Sequence, residues 1–130
     1  MLYGFIGAFF TFICIDAIWL LLIARKFYRK EMGGLLRDNP NMLCIVLFYV
    51  CYNAILVYMG VLPHLAAHDI IPVIIHCGLL GLLAYGTYDI TNYALLRNWS
   101  LKMTIVDTLW GISISILSGL GGYFALLIVL

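Results

Sequence analysis

The stretch IIPVIIHCGLLGLLAYGTYDITNYALL, Ile70 to Leu96, decides how this chain is read. It is apolar over more than the roughly 20 residues that a bilayer-spanning helix needs. Yet its second half, YGTYDITN from Tyr85 to Asn92, carries a carboxylate, an amide, two threonines and two tyrosines. Three further segments are long and apolar, Leu2 to Ala24, Asn41 to Leu62 and Met103 to Leu130. Over 130 residues the composition is 65% hydrophobic and 10% charged, whereas soluble domains carry about 25% charged residues. The mean hydropathy of +1.11 agrees. The expected fold is therefore an all-α membrane protein, four transmembrane helices in an antiparallel bundle. The spans, about 2–24, 41–62, 70–96 and 103–130, fill residues 1–130 as one domain with no room for a soluble one.

The charges orient the bundle. All seven Lys and Arg fall in two connections, Arg25 to Arg37 after the first span and Arg97 to Lys102 before the fourth, and Pro63 to Asp69 has none. By the positive-inside rule the basic loops are cytoplasmic and both termini lie outside, as in a multi-pass membrane protein. The net charge of +1 argues for no nucleic-acid partner, because topology accounts for the basic residues. The opening MLYGFIGAFF has no basic region before its apolar run, so it reads as a retained helix and not as a signal peptide. The connection RKFYRKEMGGLLRDN mixes aromatic and apolar residues with its charges, as a segment lying along lipid headgroups does. Gly33 and Gly34 should end any helix there, and Asp38 or Asn39 should cap the second span, with Pro40 in its first turn.

Three of the six acidic residues, Asp16, Asp89 and Asp107, fall inside spans. Each costs roughly 2.5–3.5 kcal/mol at bilayer depth, and such residues face the bundle interior. Counted from the ends of their helices, all three lie roughly 7–12 Å inside the cytoplasmic boundary at about 1.5 Å per residue. They share a layer with Tyr49, and Asn53 lies slightly deeper. Asp16-Ala17-Ile18-Trp19 and Asp107-Thr108-Leu109-Trp110 are the same D-x-x-W on antiparallel helices. Spacing of i, i+3 puts acid and indole on one face, so each carboxylate is expected to accept a hydrogen bond from the other helix's tryptophan. Tyr85, Asp89 and Asn92 form one stripe of the third helix, with Thr87 and Tyr88 at its edges and Gly78, Gly81 and Leu82 continuing it. Gly111, Ser115, Gly119 and Gly122 on the fourth helix form a ladder of small residues for close helix packing.

Taken together, Asp16 and Trp19, Phe27-Tyr28 before Gly33, Phe48, Tyr49 and Tyr52, the string Thr87-Tyr88-Asp89-Ile90-Thr91-Asn92, Trp99, and Asp107, Trp110 and Gly111 resemble a family of small bacterial membrane proteins, domain of unknown function 2177. The resemblance covers nearly the whole chain and implies a four-helix membrane protein of bacterial origin, without chemistry of its own. Gly86 departs from it, standing where the family is expected to have alanine, and a glycine there would loosen the helix before Asp89.

Three roles fit the polar layer. The first is a proton-linked site that binds or transports a small polar or cationic ligand, formed by Asp16, Trp19, Tyr49, Asn53, Tyr85, Tyr88, Asp89, Asn92, Asp107 and Trp110. Intramembrane carboxylates carry protons in many transporters, and the rings supply cation–π walls. Four helices enclose no path of their own, so this role implies membrane lipids and a second copy, at least a dimer, as partners. The second is an enzyme acting on a lipid or isoprenoid at the inner leaflet, with the aspartates dividing acid and base roles. The third is a structural or partner-binding network. No cofactor and no metal is expected. His64, His68 and Asp69 at the outer loop are solvated loop residues or, less simply, metal ligands, and His76 reads as an interior histidine. Cys14, Cys44, Cys51 and Cys77 lack C-x-x-C spacing and read as small apolar packing residues. Trp99 and Tyr28 either cover the layer or mark the interface.

Overall fold

A computed structural model describes all residues from Met1 to Leu130. The chain consists of helices and the turns that join them, and no strand forms. α1 (Leu2–Ile18) runs into a π-helical turn, Trp19–Ile23, and the short α2 (Arg25–Met32) follows after Ala24. α3 (Met42–Leu56) also ends in a π-helical turn, Val57–Val61, before a 3-10 turn at Leu62–His64. α4 spans Ile70–Leu95 and α5 spans Leu101–Val129. Four helical stretches, Leu2–Ile23, Met42–His64, Ile70–Leu95 and Leu101–Val129, are long and apolar enough to cross a membrane.

Local chemistry sets the ends of these helices. Asn41, Asp69 and Ser100 each sit at an N-cap and accept a hydrogen bond from a free amide of the first turn, Cys44 N at 3.2 Å, Ile71 N at 3.0 Å and Met103 N at 2.9 Å. Such caps satisfy donors that have no partner inside the helix. The cap of α3 is thus Asn41, and not Asp38 or Asn39. Pro40 lies outside the helix, because Asn41 takes the extended cap conformation after it. Gly33 ends α2 with φ at +47°, a conformation that a residue with a Cβ rarely adopts.

α5 is the central helix. It buries eleven residues, against four in α1 and five in α4, and α1 and α4 pack along it on two sides. Small residues let the backbones meet. Gly81 of α4 lies against the Gly111 carbonyl and Ser115, Gly119 against Cys77, and Gly122 against the Gly4 carbonyl and Ala8 of α1. The α5 ladder therefore serves contacts within the bundle, where hydrocarbon gives no hydrophobic drive and close van der Waals approach must supply the attraction. Around it Phe12, Leu56, Val57, Val61, Val73, Cys77 and Ile114 are fully buried. α3 meets α4 through its π-helical end, Val57–Val61, and diverges from it toward the other end of the bundle, where the basic loops lie. We call that the basic end.

Several side chains face the other way from expectation. Cys14, Cys44 and Cys51 are exposed on the outer surface, and only Cys77 packs inside. A bilayer accepts a thiol as readily as a protein core does, so apolarity alone could not assign the side. His76 is exposed, its Nδ1 2.8 Å from the Pro72 carbonyl and its ring 4.4 Å from that of His64. The inward line of α4 runs through Val73, Cys77 and Gly81, and a single residue step turns a side chain by about 100°. The same step turns Leu82 outward, leaving it 42% exposed. Gly86 does not loosen α4, which is continuous through it, and a Cβ there would meet only ordinary contacts at 3.7 Å or more.

Candidate functional site

The intramembrane acids gather at the basic end of the bundle. Asp16, Asp89 and Asp107 are 6%, 0% and 8% exposed. Trp110 of α5 donates its indole N–H to Asp16 Oδ1 at 3.3 Å, and the Tyr49 hydroxyl of α3 donates to Asp16 Oδ2 at 2.8 Å. One half of the reciprocal D-x-x-W arrangement is thus made directly. The other half is not. Trp19 Nε1 donates to the Tyr28 hydroxyl at 2.9 Å, and that hydroxyl donates to Asp107 Oδ1 at 2.7 Å. The two indoles stack face to face, centroids 4.3 Å apart with planes 8° from parallel. Stacking brings the α1 and α5 motifs level, but it leaves the Trp19 N–H short of Asp107, and the phenol of α2 fills the gap.

Tyr28 is the residue that sequence reasoning left at the margin. The readable signal was its i, i+4 pairing with Met32 in a segment otherwise mostly charged, which gives α2 one inward face. Burial, and then the negative charge of Asp107, pushes the Tyr28 phenol above its usual range. It therefore stays protonated, a donor to Asp107, at any working pH. Tyr28→Phe should leave Trp19 Nε1 and Asp107 Oδ1 without this partner. A buried group so stranded costs about 1–3 kcal/mol, so the variant should unfold earlier in an SDS titration by that amount. Unchanged unfolding would mean that water replaces the phenol without loss.

These residues surround a cavity of about 210 Å³. Asp16, Asp107 and Trp110 form one side, Tyr49, Tyr85 and Tyr88 another, and Tyr28 with Met32 closes over it from α2. Leu20, Leu36 and Met103 complete the wall, three apolar residues whose place no spacing rule indicated. Of the ten residues named from sequence, six line the cavity. Trp19 backs it through Trp110 and Tyr28. Asp89 is sealed between α4 and α5, its carboxyl beside Asp107 and Thr108 with no hydrogen bond to either oxygen. Asn53 is buried away from the cavity, its Nδ2 spent on the Tyr49 carbonyl at 2.9 Å. Asn92 sits half-exposed near the end of α4 and joins neither. Trp99 is buried and meets Tyr88 edge-on, centroids 5.5 Å apart, outside the cavity wall.

The cavity has no basic wall. Within the four spans the single Lys or Arg is Lys102, and its ammonium lies 5.5 Å above the Phe27 ring. Ser115 offers no nucleophile, since its hydroxyl donates to the Gly111 carbonyl at 2.6 Å and accepts from Tyr52 at 2.6 Å. No three His, Cys, Asp or Glu side chains converge as metal ligands anywhere in the chain.

Four apolar helices around an acid-lined cavity define a helical integral membrane protein. The chain belongs to the family described as "Predicted membrane protein (DUF2177)", whose model matches residues 1–124. No curated protein and no solved structure matches it.

Proposed function

We propose that the basic-end cavity is a proton-linked binding site for a small organic cation, working in the transport of that cation across the membrane. The observation that carries this reading is the cavity's one-signed lining. Two buried carboxylates face four tyrosines and a tryptophan, and no Lys or Arg stands among them. Aromatic faces and carboxylates together are the chemistry that receives ammonium groups. A volume of about 210 Å³ suits a small cation, below the roughly 300–1,000 Å³ of drug-sized sites. Asp107 keeps one oxygen outside the Tyr28 bond, with the buried Asp89 behind it, so a cation at Asp107 and a proton on Asp89 disfavour one another by charge.

In this reading the basic loops lie on the cytoplasmic side of a bacterial inner membrane with both termini outside, and α2 rests along the headgroups as a cover. The chain forms one domain, and transport engages at least two copies.

Tetramethylammonium is the test ligand, because it carries no titratable proton. Added to the protein in lipid nanodiscs, it should bind saturably and release protons, measured by calorimetry in buffers of different ionisation enthalpy. The release should fade as pH rises and the acids are already ionised, while binding persists. Neither heat nor release from methylammonium through tetraethylammonium would reduce the cluster to a packing network.

A further inference from the structure

A second cavity extends the first. Between α3 and α4 lies a crevice of about 470 Å³ that shares Tyr49, Tyr85, Tyr88 and Asp107 with the acid-lined site. It exists because α3 and α4 join at the far end, through Val57–Val61, and part toward the basic end. Its outer walls are Phe48, 55% exposed, and the α4 face from Ala84 to Thr91. That face is about 10 Å long at about 1.5 Å per residue. Its two threonine hydroxyls are spent on the backbone: Thr87 donates to the Leu83 carbonyl and Thr91 to the Thr87 carbonyl. Apart from the phenol groups of Tyr85 and Tyr88, the crevice wall is mostly apolar surface. The crevice thus leads from a polar, acidic floor at Asp107 sideways to the outer surface of the spans, where the surroundings are hydrocarbon.

The geometry points to an amphiphile as the ligand: a cationic head held by Asp107 and the tyrosines, with a single alkyl chain leaving the bundle sideways between α3 and α4. This rests on the cation reading above and adds the ligand's class and its route, which is lateral, from the leaflet. Charge complementarity selects the head. An ordinary phospholipid would bring its phosphate toward Asp16 and Asp107 in spans whose single basic residue, Lys102, is engaged with Phe27. Lining selects the tail: the crevice, about 470 Å³, is walled mostly by apolar surface and opens sideways to hydrocarbon, as an alkyl chain requires.

The probe is hexadecyltrimethylammonium carrying a diazirine at mid-chain, added to the full chain in zwitterionic nanodiscs, irradiated and mapped by mass spectrometry. Labels are expected on Phe48, Ala84, Thr87 and Thr91, and excess tetramethylammonium should remove them. Thr91→Trp, which fills the crevice beyond the head site, should lose at least about nine-tenths of the labelling and keep the tetramethylammonium heat. Ala84→Leu serves the same purpose should the tryptophan fail to insert. Crevice labels that survive excess tetramethylammonium would show an ordinary lipid tail there and overturn the proposal. So would labels spread evenly over the outer residues Leu83 and Ile90, or efficient Thr87→Cys cross-linking between two copies, which would make a neighbour the occupant. Should tetramethylammonium bind without crevice labelling, the lateral route fails and the cation site stands. Absence of tetramethylammonium binding removes the cation site itself.

Discussion

Asp107→Asn is expected to weaken tetramethylammonium binding by at least about 30-fold and to abolish the accompanying proton release, while the protein still inserts and unfolds close to wild type. Truncating a buried charged contact costs about 2–5 kcal/mol of binding, each 1.4 kcal/mol being tenfold. The fold should survive because asparagine keeps an acceptor for the Tyr28 hydroxyl, which bonds Oδ1 at 2.7 Å. Its amide then replaces the second carboxylate oxygen and presents donors, which repel a cation. Asp16 provides the contrast. Both of its oxygens are already taken, by Trp110 and Tyr49, so Asp16→Asn forces the Tyr49 hydroxyl to turn and should cost stability more than affinity. Calorimetry in nanodiscs reads the first effect and SDS titration the second. Equal affinity in wild type and Asp107→Asn would remove Asp107 from the site.

The largest loss of stability is expected from Gly81→Val. A Cβ at Gly81 would press on the Gly111 carbonyl at 2.5 Å and on the Ser115 side chain. The obstacle is backbone, which has no rotamer to yield. Overpacking of this kind costs about 1–3 kcal/mol and occasionally more, and the upper end or beyond is expected here, because the α4–α5 seam must open along its length. Opening it would also draw Ser115 from Tyr52, a bond of 2.6 Å. Gly34→Ala is the control, with nothing near its added methyl, and it should shift SDS unfolding by less than about 0.5 kcal/mol. Should Gly81→Val match that control, α4 and α5 would not approach as closely as described.

The legible part of the site followed from cost. An acid in an apolar span has few places to go, so Asp16, Asp89 and Asp107 had to gather inside, and helical spacing set Trp110 on the Asp16 face. Asn53 and Asn92 show where that logic stops. Amides are neutral and lose less than a carboxylate in apolar surroundings: Asn53 spends its Nδ2 on the Tyr49 carbonyl four residues back and leaves its buried Oδ1 without a partner, so neither had to reach the cavity. Tyr28 could be placed only as a cover or an interface marker for a related reason: it lies in a loop segment, where no span periodicity marks an inward face.

By itself the sequence determined that four apolar helices form, where basic loops interrupt them and which residues carry intramembrane charge, because hydrocarbon length and desolvation act on each segment independently of its neighbours. Only the tertiary structure decided the rest. Which cysteines and which histidine face outward, how Tyr28 enters the Trp19–Asp107 gap, and that α3 parts from α4 to open a lateral crevice all depend on how helices approach one another. In a bilayer the outer surface is as apolar as the interior, so hydrophobicity cannot tell the two faces apart, and small-residue packing between particular backbones makes the choice.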